Sequence, residues 1–169
     1  MCGIIGLIAK DAAGFPFYAD DLFTNMLRMD TIRGEDSTGV FGIDRNGEYD
    51  VLKGDTDGYT FVRCKQYARF KKQIYQKYRV VVGHNRKATR GTVSAANAHP
   101  FKEENIILVH NGTIHNADDL NKEVEVDSHA IAHALSTNDA VKALELINGA
   151  YALVWYDKKN KSLNLARNT

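Results

Sequence analysis

The chain has 169 residues, of which 44% are hydrophobic and 25% are charged, and this size allows one globular domain with a substantial core. Its 22 basic and 21 acidic residues leave a formal net charge of +1, so nucleic acid and membrane surfaces are not expected partners. The first apolar run is too short for a signal peptide. The two cysteines, Cys2 and Cys64, form neither a disulfide framework nor a metal-ligand pattern. We therefore predict a cytoplasmic protein that binds no metal or cofactor.

The first third of the chain predicts strands, a helix and a hairpin. Residues 4–9 are almost wholly apolar, which predicts a buried strand that holds the N-terminus inside the domain. Residues 20–29 carry apolar side chains on one helical face, and Asp20 or Asp21 is available as the cap of that helix. A polar turn and two strands joined by an Asn-Gly hairpin signal follow at residues 33–39, 40–44 and 49–53.

The middle of the chain is locally basic. Between Gly58 and Lys102 there are eleven basic residues and no acidic one, and seven of the eleven lie within residues 63–79. Apolar residues at helical spacing in this segment predict an amphipathic helix over residues 63–79, with a solvated charged face above a buried stripe. Docking of an acidic partner or of a phosphate-bearing molecule is the alternative.

The remainder of the chain adds strands and helices in alternation. Residues 80–84 predict a central strand that runs into Asn85 and Arg86, and residues 106–110 predict another that stops at Asn111-Gly112. Polar residues at strand ends are commonly presented to ligands. Helices are predicted at residues 129–135 and 140–147, before a hairpin of residues 151–157 and 162–166. This succession favours an α+β fold with helices layered on antiparallel sheet over a doubly wound parallel sheet.

The N-terminus offers a nucleophile. If Met1 is removed, the thiol of Cys2 and a free α-amine share one residue. A free α-amine has a pKa of about 8, so it can accept the thiol proton without a histidine partner. Free cysteines are also common as small hydrophobic residues of buried strands, and the local sequence leaves this alternative open.

Other residues supply the remaining parts of an amide-hydrolysing site, each with a simpler alternative. Asn111 and Gly112 offer a side-chain amide and an unobstructed backbone N–H, the donors of an oxyanion hole, or form a plain turn. Arg86 suits a substrate carboxylate, or forms a surface ion pair. Asp127 suits an ammonium group, or caps the following helix.

Six motifs in a fixed order resemble the class II glutamine amidotransferases, a family of N-terminal nucleophile hydrolases. The resemblance extends over essentially the whole chain, and its order is more specific than any single motif. The motifs occupy residues 1–6 (MCGIIG), 33–39 (RGEDSTG), 83–91 (GHNRKATRG), 97–101 (NAHPF), 110–116 (HNGTIHN) and 127–128 (DS).

The resemblance implies a fold, a reaction and a role for each site residue. The fold is a four-layer αββα sandwich with two mainly antiparallel sheets between helix layers, and the expected domain is a single type 2 glutamine amidotransferase domain over residues 1–169. L-glutamine is the implied substrate, and ammonia passes to a separate synthase subunit, unless the chain is a shortened or cut product. The resemblance assigns Cys2 as nucleophile, Asn111 and Gly112 as oxyanion donors, Arg86 and Asp127 as the clamps of the α-carboxylate and α-ammonium, and Thr89 as a further polar contact.

The chain departs from the family pattern around the implied carboxylate clamp. The family often has threonine before the arginine, an aromatic residue after it and histidine three residues further along, whereas this chain has Asn85, Lys87 and Arg90. His129 stands where many members have glutamate. His129 and His133 lie one helical turn apart, but the zinc-protease glutamate is missing between them, and we interpret both as packing residues.

Two other functions remain open. An N-terminal cysteine amidohydrolase acting on another amide has no need for both Arg86 and Asp127. A non-catalytic binding module with the same fold tolerates a retained Met1.

Overall fold

The computed structural model describes residues 2–10 and 13–168, so the prediction that Met1 is removed lies outside the described residues. The chain divides into two compact units. The first unit comprises Met1–Lys87 and Val93–His99, and the second comprises Ala88–Thr92 and Pro100–Thr169. Within the described ranges, every helix is too short or too polar to cross a membrane.

The first unit contains a four-stranded antiparallel sheet in the order β1-β4-β2-β3. Its elements are β1 (Gly3–Ile8), α1 (Ala19–Asp30), a 3-10 turn (Thr31–Arg33), β2 (Ser37–Asp44), β3 (Tyr49–Gly54), α2 (Gly58–Phe61), α3 (Lys65–Gln76) and β4 (Tyr78–Arg86). Gly47 has φ +86° in the hairpin between β2 and β3, as the Asn-Gly signal predicts.

Aromatic and branched side chains from α1, α3 and the central strands fill the core of the first unit. Phe23 and Leu27 of α1 are fully buried, as is Ile74 of α3. Burial of each such side chain stabilises the fold by about 1.5–3 kcal/mol. The hydroxyl groups of Thr24 and Tyr67 lie 2.9 Å apart and hydrogen-bond to each other inside this core, so the polar ends of these residues are satisfied.

The basic helix is shorter than predicted. It covers Lys65–Gln76 rather than residues 63–79, because Tyr78 and Arg79 pair in β4 and Gly58–Phe61 forms a separate short helix. Its apolar stripe is buried and its basic side chains lie outside, so the charged face belongs to an ordinary amphipathic helix. Lys71 pairs there with Asp21 of α1.

Two other predictions for this unit need correction. Neither Asp20 nor Asp21 caps α1, because the N-cap is Tyr18. The two carboxylates lie in the first turn, where their negative charge interacts favourably with the helix dipole. The polar turn predicted over residues 33–39 ends early because β2 begins at Ser37.

The second unit contains a four-stranded antiparallel sheet in the order β5-β6-β7-β8. Helix α5 packs its apolar residues against this sheet, and Ala130, Ile131 and Leu135 join Leu108 and Trp155 in one buried cluster. With the first sheet and its helices, this arrangement confirms the α+β class. The elements are β5 (Phe101–Glu103), β6 (Ile106–Ile114), α4 (Ala117–Leu120), α5 (Asp127–Thr137), α6 (Ala140–Leu146), β7 (Gly149–Asp157) and β8 (Ser162–Asn168).

Strand β6 does not stop at Asn111-Gly112, as predicted, but continues to Ile114. Asn111 pairs with Ala152 of β7, and Gly112 pairs with Tyr151. The alternative prediction that Asn111-Gly112 forms a plain turn is therefore wrong. Gly112 has φ +150°, and an added Cβ would overlap the carbonyl oxygen of Ala150.

His129 and His133 share one carboxylate on the neighbouring strand β5. His129 Nε2 lies 3.1 Å from Glu103 Oε2, and His133 Nδ1 lies 3.2 Å from Glu103 Oε1. The ring of Phe101 stacks on His129 at 5.2 Å. These contacts join α5 to the sheet edge. In the part of the chain that the structure describes, no group of three His, Cys, Asp or Glu side chains is arranged to hold a metal ion.

We expect Gly112→Ala to destabilise the protein by about 1–3 kcal/mol, because the substitution combines an unfavourable φ with a steric overlap. Urea unfolding followed by circular dichroism measures the change. Gly54→Ala is the matched control, since its Cβ would meet only ordinary contacts beginning at 3.6 Å. Equal stability of the two variants would contradict this account of Gly112.

We expect Glu103 to contribute a pH-dependent stabilisation. Burial raises the pKa of Glu103, but hydrogen bonds from His133 and His129 outweigh burial and bring the pKa below its ordinary value. A carboxyl whose pKa is lowered by folding stabilises the fold above its unfolded pKa of about 4.3, and this stabilisation is lost as the pH falls through the lower folded value.

The corresponding measurement compares Glu103→Gln with wild type by urea unfolding at several pH values. The difference in unfolding free energy should be below about 1 kcal/mol, since the three side chains are partly exposed, and it should disappear as the pH falls through the lowered folded-state pKa of Glu103. Glu104→Gln, at the exposed neighbouring residue, is the control and should show no such dependence. A Glu103→Gln difference that is constant with pH would rule out the carboxylate's contribution.

Candidate active site

Cys2 lies directly before β1, with its thiol against the backbone at the end of β4. Lys87 N–H donates to Cys2 Sγ at 3.4 Å, and the thiol reaches Lys87 O at 3.6 Å. The register of the two strands sets Gly3 opposite Asn85. The sheet therefore brings Cys2 and Arg86 to the same end of the first unit's β1–β4 pair.

Gly3 lies against a buried polar network that the sequence did not reveal. A Cβ added at Gly3 would overlap the carboxylate of Asp30. Asn85 Nδ2 donates to Asp30 Oδ2 at 3.0 Å and to Leu27 O at 2.9 Å, and Thr38 Oγ1 donates to Asn85 Oδ1 at 2.9 Å. Burial raises the pKa of Asp30, against the lowering effect of the Asn85 hydrogen bond. In the sequence, the departure from the family pattern at Asn85 was the one feature that could have indicated this network.

Arg86 is the last residue of β4 and is only 3% exposed. Its partner in register is Ser37 of β2, and its carbonyl oxygen accepts from Asp36 N–H at 3.0 Å. A side chain buried to this degree is not a surface residue, so the alternative of a surface ion pair is wrong. The next residue, Lys87, lies 3.7 Å from the Glu35 and Asp36 carboxylates.

Asp127 is the first residue of α5 and connects this helix to β6 in the second unit. Its Oδ1 accepts from Ser128 N–H at 2.8 Å, and its Oδ2 accepts from Ile114 N–H at 3.4 Å. The N-cap of α5 is Val126, so the prediction's alternative that Asp127 is the cap is wrong. The carboxylate is 8% exposed and lies at the positive end of the helix dipole, which favours its charge.

Asn111 and Gly112 lie on the adjoining part of β6, three and two residues before Ile114, respectively. Asn111 is half-buried and Gly112 is exposed. The residue before them, His110, is buried and lies with Nδ1 2.9 Å from Ser128 Oγ. Burial lowers the pKa of His110, although the Asp127 carboxylate acts in the opposite direction. The second unit thus brings Asn111, Gly112 and Asp127 together through β6 and the start of α5.

Thr89 lies exposed in the loop after β4. Neighbouring residues attach this loop to the second unit: the Arg90 guanidinium pairs with the Asp118 carboxylate, and Thr92 N–H donates to Glu125 Oε1 at 2.6 Å. Arg90, which departs from the family pattern, therefore forms an ion pair with α4.

Each unit contributes groups of the kinds that amide hydrolysis uses. The first unit provides a thiol beside a backbone donor, together with a buried guanidinium. The second provides a side-chain amide, a glycine N–H without a side chain beside it, and a buried carboxylate at a helix start. Donors of these two kinds stabilise an oxyanion, and fixed charges of opposite sign bind the two ends of a zwitterion.

Comparison with known proteins identifies relatives over most of the chain. The model of the family described as "Glutamine amidotransferase domain" matches residues 84–169, half of the chain. The glutamine–fructose-6-phosphate aminotransferase [isomerizing] of Helicobacter pylori (strain J99) is 34% identical over 182 residues, which cover 95% of this chain and 28% of that protein. The Escherichia coli (strain K12) protein of the same name is 30% identical over 185 residues, covering 98% of this chain and 28% of the relative.

A solved structure described as the allosteric regulatory enzyme of purine biosynthesis has the same fold. Its TM-score is 0.69 at 20% sequence identity, over 92% of this chain and 35% of that one. The chain thus spans about 28% of the length of the curated relatives it matches. On the family match and the shared fold, the chain belongs to the class II glutamine amidotransferases, enzymes that hydrolyse glutamine.

Proposed function

We propose that this chain hydrolyses the side-chain amide of L-glutamine with Cys2 as the nucleophile, once Met1 has been removed. The observation that carries the proposal is the position of the Cys2 thiol at the start of β1, 3.4 Å from the Lys87 backbone N–H. A hydrogen bond to sulfur stabilises a thiolate. The small side chain of Cys2 is also of the kind that permits removal of an initiator methionine.

The proposed reaction begins as the thiol proton moves to the α-amine of Cys2 and the sulfur attacks the amide carbon. The C–N bond of the tetrahedral intermediate then breaks as the α-ammonium returns the proton to the departing nitrogen. Ammonia is released, and a γ-glutamyl thioester remains on Cys2. Water cleaves the thioester to glutamate, and the thiol is regenerated. Cys2 and its own amine thus serve both half-reactions.

Asn111 and Gly112 are the proposed donors to the oxyanion of the tetrahedral intermediate. The extended path of β6 supports this role, because it keeps Gly112 exposed and Asn111 half-buried instead of folding both into a turn. Each preorganised donor of this type contributes about 2.7–4 kcal/mol to transition-state stabilisation.

Arg86 and Asp127 are the proposed clamps of the substrate's α-carboxylate and α-ammonium, with Thr89 as a further polar contact. The burial of both charged side chains supports this assignment, since ion pairs with a ligand strengthen when water is excluded. An amidohydrolase acting on an uncharged amide has no use for the two together.

A separate synthase is the proposed recipient of the ammonia. The curated relatives are more than three times as long as the matched region, which supports a division of labour between this domain and a synthase. We further propose that the protein is cytoplasmic. Neither Cys2 nor Cys64 forms a disulfide, as is usual in a reducing compartment.

We expect the purified protein to have the intact mass of the chain without Met1 and to release ammonia from glutamine. Cys2→Ala should lower this activity at least about 1,000-fold, because the nucleophile is lost. Intact-mass spectrometry and a coupled ammonia assay are the two measurements. Cys64→Ser is the control: its hydroxyl can still accept from Tyr67 N–H at the start of α3, as the Cys64 sulfur does, and its activity should match wild type.

Removal of Met1 without glutamine hydrolysis, in the presence or absence of a synthase, would contradict the proposal. A retained Met1 with no activity would instead indicate the non-catalytic binding module.

We expect Asp127→Asn to raise the KM for glutamine, with a fall in kcat/KM of about 10–100-fold, because the ammonium loses its charged partner. The variant should still fold, with a modest loss of stability: an asparagine oxygen can accept from Ser128 N–H, but the long bond from Ile114 N–H at 3.4 Å is lost. Steady-state kinetics and a thermal melt separate the two effects. Asp139→Asn, at the N-cap of α6, is the matched control and should leave KM unchanged. Wild-type kinetics for Asp127→Asn would reject its role as the ammonium clamp.

A further inference from the structure

A second apolar stripe runs from Tyr18, the N-cap of α1, along α1 to the following 3-10 turn, on the side opposite the buried face of the helix. Tyr18, Leu22, Met29 and Ile32 are 57%, 45%, 72% and 91% exposed. With Asn25, they follow intervals of four, three, four and three residues, the spacing of a coiled-coil seam. The 3-10 turn directly after α1 carries Ile32.

The stripe is comparable in size to the largest apolar patches of folded monomers, which are often functional. Phe17 is 80% exposed and packs edge-to-face on Tyr18 with ring centroids 5.7 Å apart, which widens one end of the stripe. Five large side chains expose on the order of 500 Å², and contiguous apolar patches of this size mark interaction sites. At 1.5 Å per residue, the seam is about 21 Å long.

We propose that a second copy of this chain covers the stripe, with α1 packed antiparallel against α1 of the partner about a twofold axis near Asn25. In this arrangement Tyr18 faces Ile32 of the partner subunit, and Leu22 faces Met29 of the partner subunit. A twofold interface requires a surface that is complementary to itself, and the order of the five seam residues meets that requirement.

The charges beside the seam favour this partner and this direction. Asp21 and Arg28 lie seven residues apart, and each directly precedes a seam residue, Leu22 or Met29. Both side chains are therefore on the same side of the seam. Antiparallel helices bring these flanks together, so Asp21 lies near Arg28 of the partner subunit and the pair occurs twice. Asp21 also binds Lys71 of its own chain, but its side chain is 73% exposed and a carboxylate accepts from more than one cation.

Asn25 lies at the centre of the seam. Its Oδ1 accepts from Arg28 Nη1 of the same chain at 3.3 Å, and its amide N–H groups can donate to Asn25 of the partner subunit. A single polar residue at a seam position fixes register and association state at some cost in affinity. Two copies together would bury on the order of 1,000 Å², near the lower limit for a specific interface. The dimer should therefore be reversible, with a Kd in the micromolar range.

The test is sedimentation velocity of the full chain over roughly 1–200 µM, a range that brackets a micromolar Kd. We expect a concentration-dependent shift from monomer to dimer. Ile32→Glu should weaken dimerisation at least 10-fold, because it introduces a charge into the seam. A chain that stays monomeric over the whole range, as it would if the stripe served only a synthase, overturns the proposal, as does a dimer unaffected by Ile32→Glu.

A charge exchange tests the direction of the helices. Asp21→Arg should weaken the dimer, and the double variant Asp21→Arg with Arg28→Asp should restore it, because opposite charges face each other again. Lys71→Met is the control: it removes the ion pair within the chain and should leave the dimer intact. Thermal melts verify that each variant is folded. Failure of the double variant to recover dimerisation would overturn the antiparallel arrangement.

Discussion

The pairing of β1 with β4 is the constraint on which the first unit's part of the site depends. Its register sets Gly3 opposite Asn85, and this brings the first residues of the chain to the end of the strand that carries Arg86. Chain ends are ordinarily the least ordered part of a domain. The proposed nucleophile, Cys2, therefore needs a neighbouring strand to hold it, and six consecutive residue pairs between β1 and β4 support the strand that follows it.

The second unit uses a different solution for its site residues. Asn111 and Gly112 lie on a strand, whereas Asp127 begins a helix, and two hydrogen bonds join these elements. One connects His110 with Ser128, and the other runs from Ile114 N–H to Asp127. Both are buried, where an unsatisfied polar group would cost about 1–3 kcal/mol. The same contacts that stabilise the fold therefore fix the distance between the proposed oxyanion donors and the proposed ammonium clamp.

Local sequence patterns predicted most strands and the longer helices, and they failed where distant pairing overrides local preference. Asn-Gly forms the predicted turn at Asn46-Gly47, because the strands on either side pair with each other. The same dipeptide at residues 111 and 112 stays in a strand because β7, some forty residues later, pairs with it. Nothing within a short window distinguishes these two cases. The short elements α2, α4 and β5 were missed for a related reason, since three or four residues carry too little periodicity.

The proposed site residues come from the order of their motifs. The network beside Gly3 was not predicted, because Asp30 and Asn85 are 55 residues apart and meet only in the folded chain. The departure from threonine at residue 85 can be understood from this network. An asparagine side chain has two N–H donors and an acceptor, and Asn85 uses them on Leu27, Asp30 and Thr38. A threonine hydroxyl has only one hydrogen to donate, so it would leave Leu27 O or the Asp30 carboxylate without its bond from residue 85. Such networks are stable only when the hydrogen bonds of all members are satisfied, so Asn85 and Asp30 each need the other as a partner. The asparagine at residue 85 therefore alters how the end of β4 is held in place, and leaves Arg86 itself unchanged.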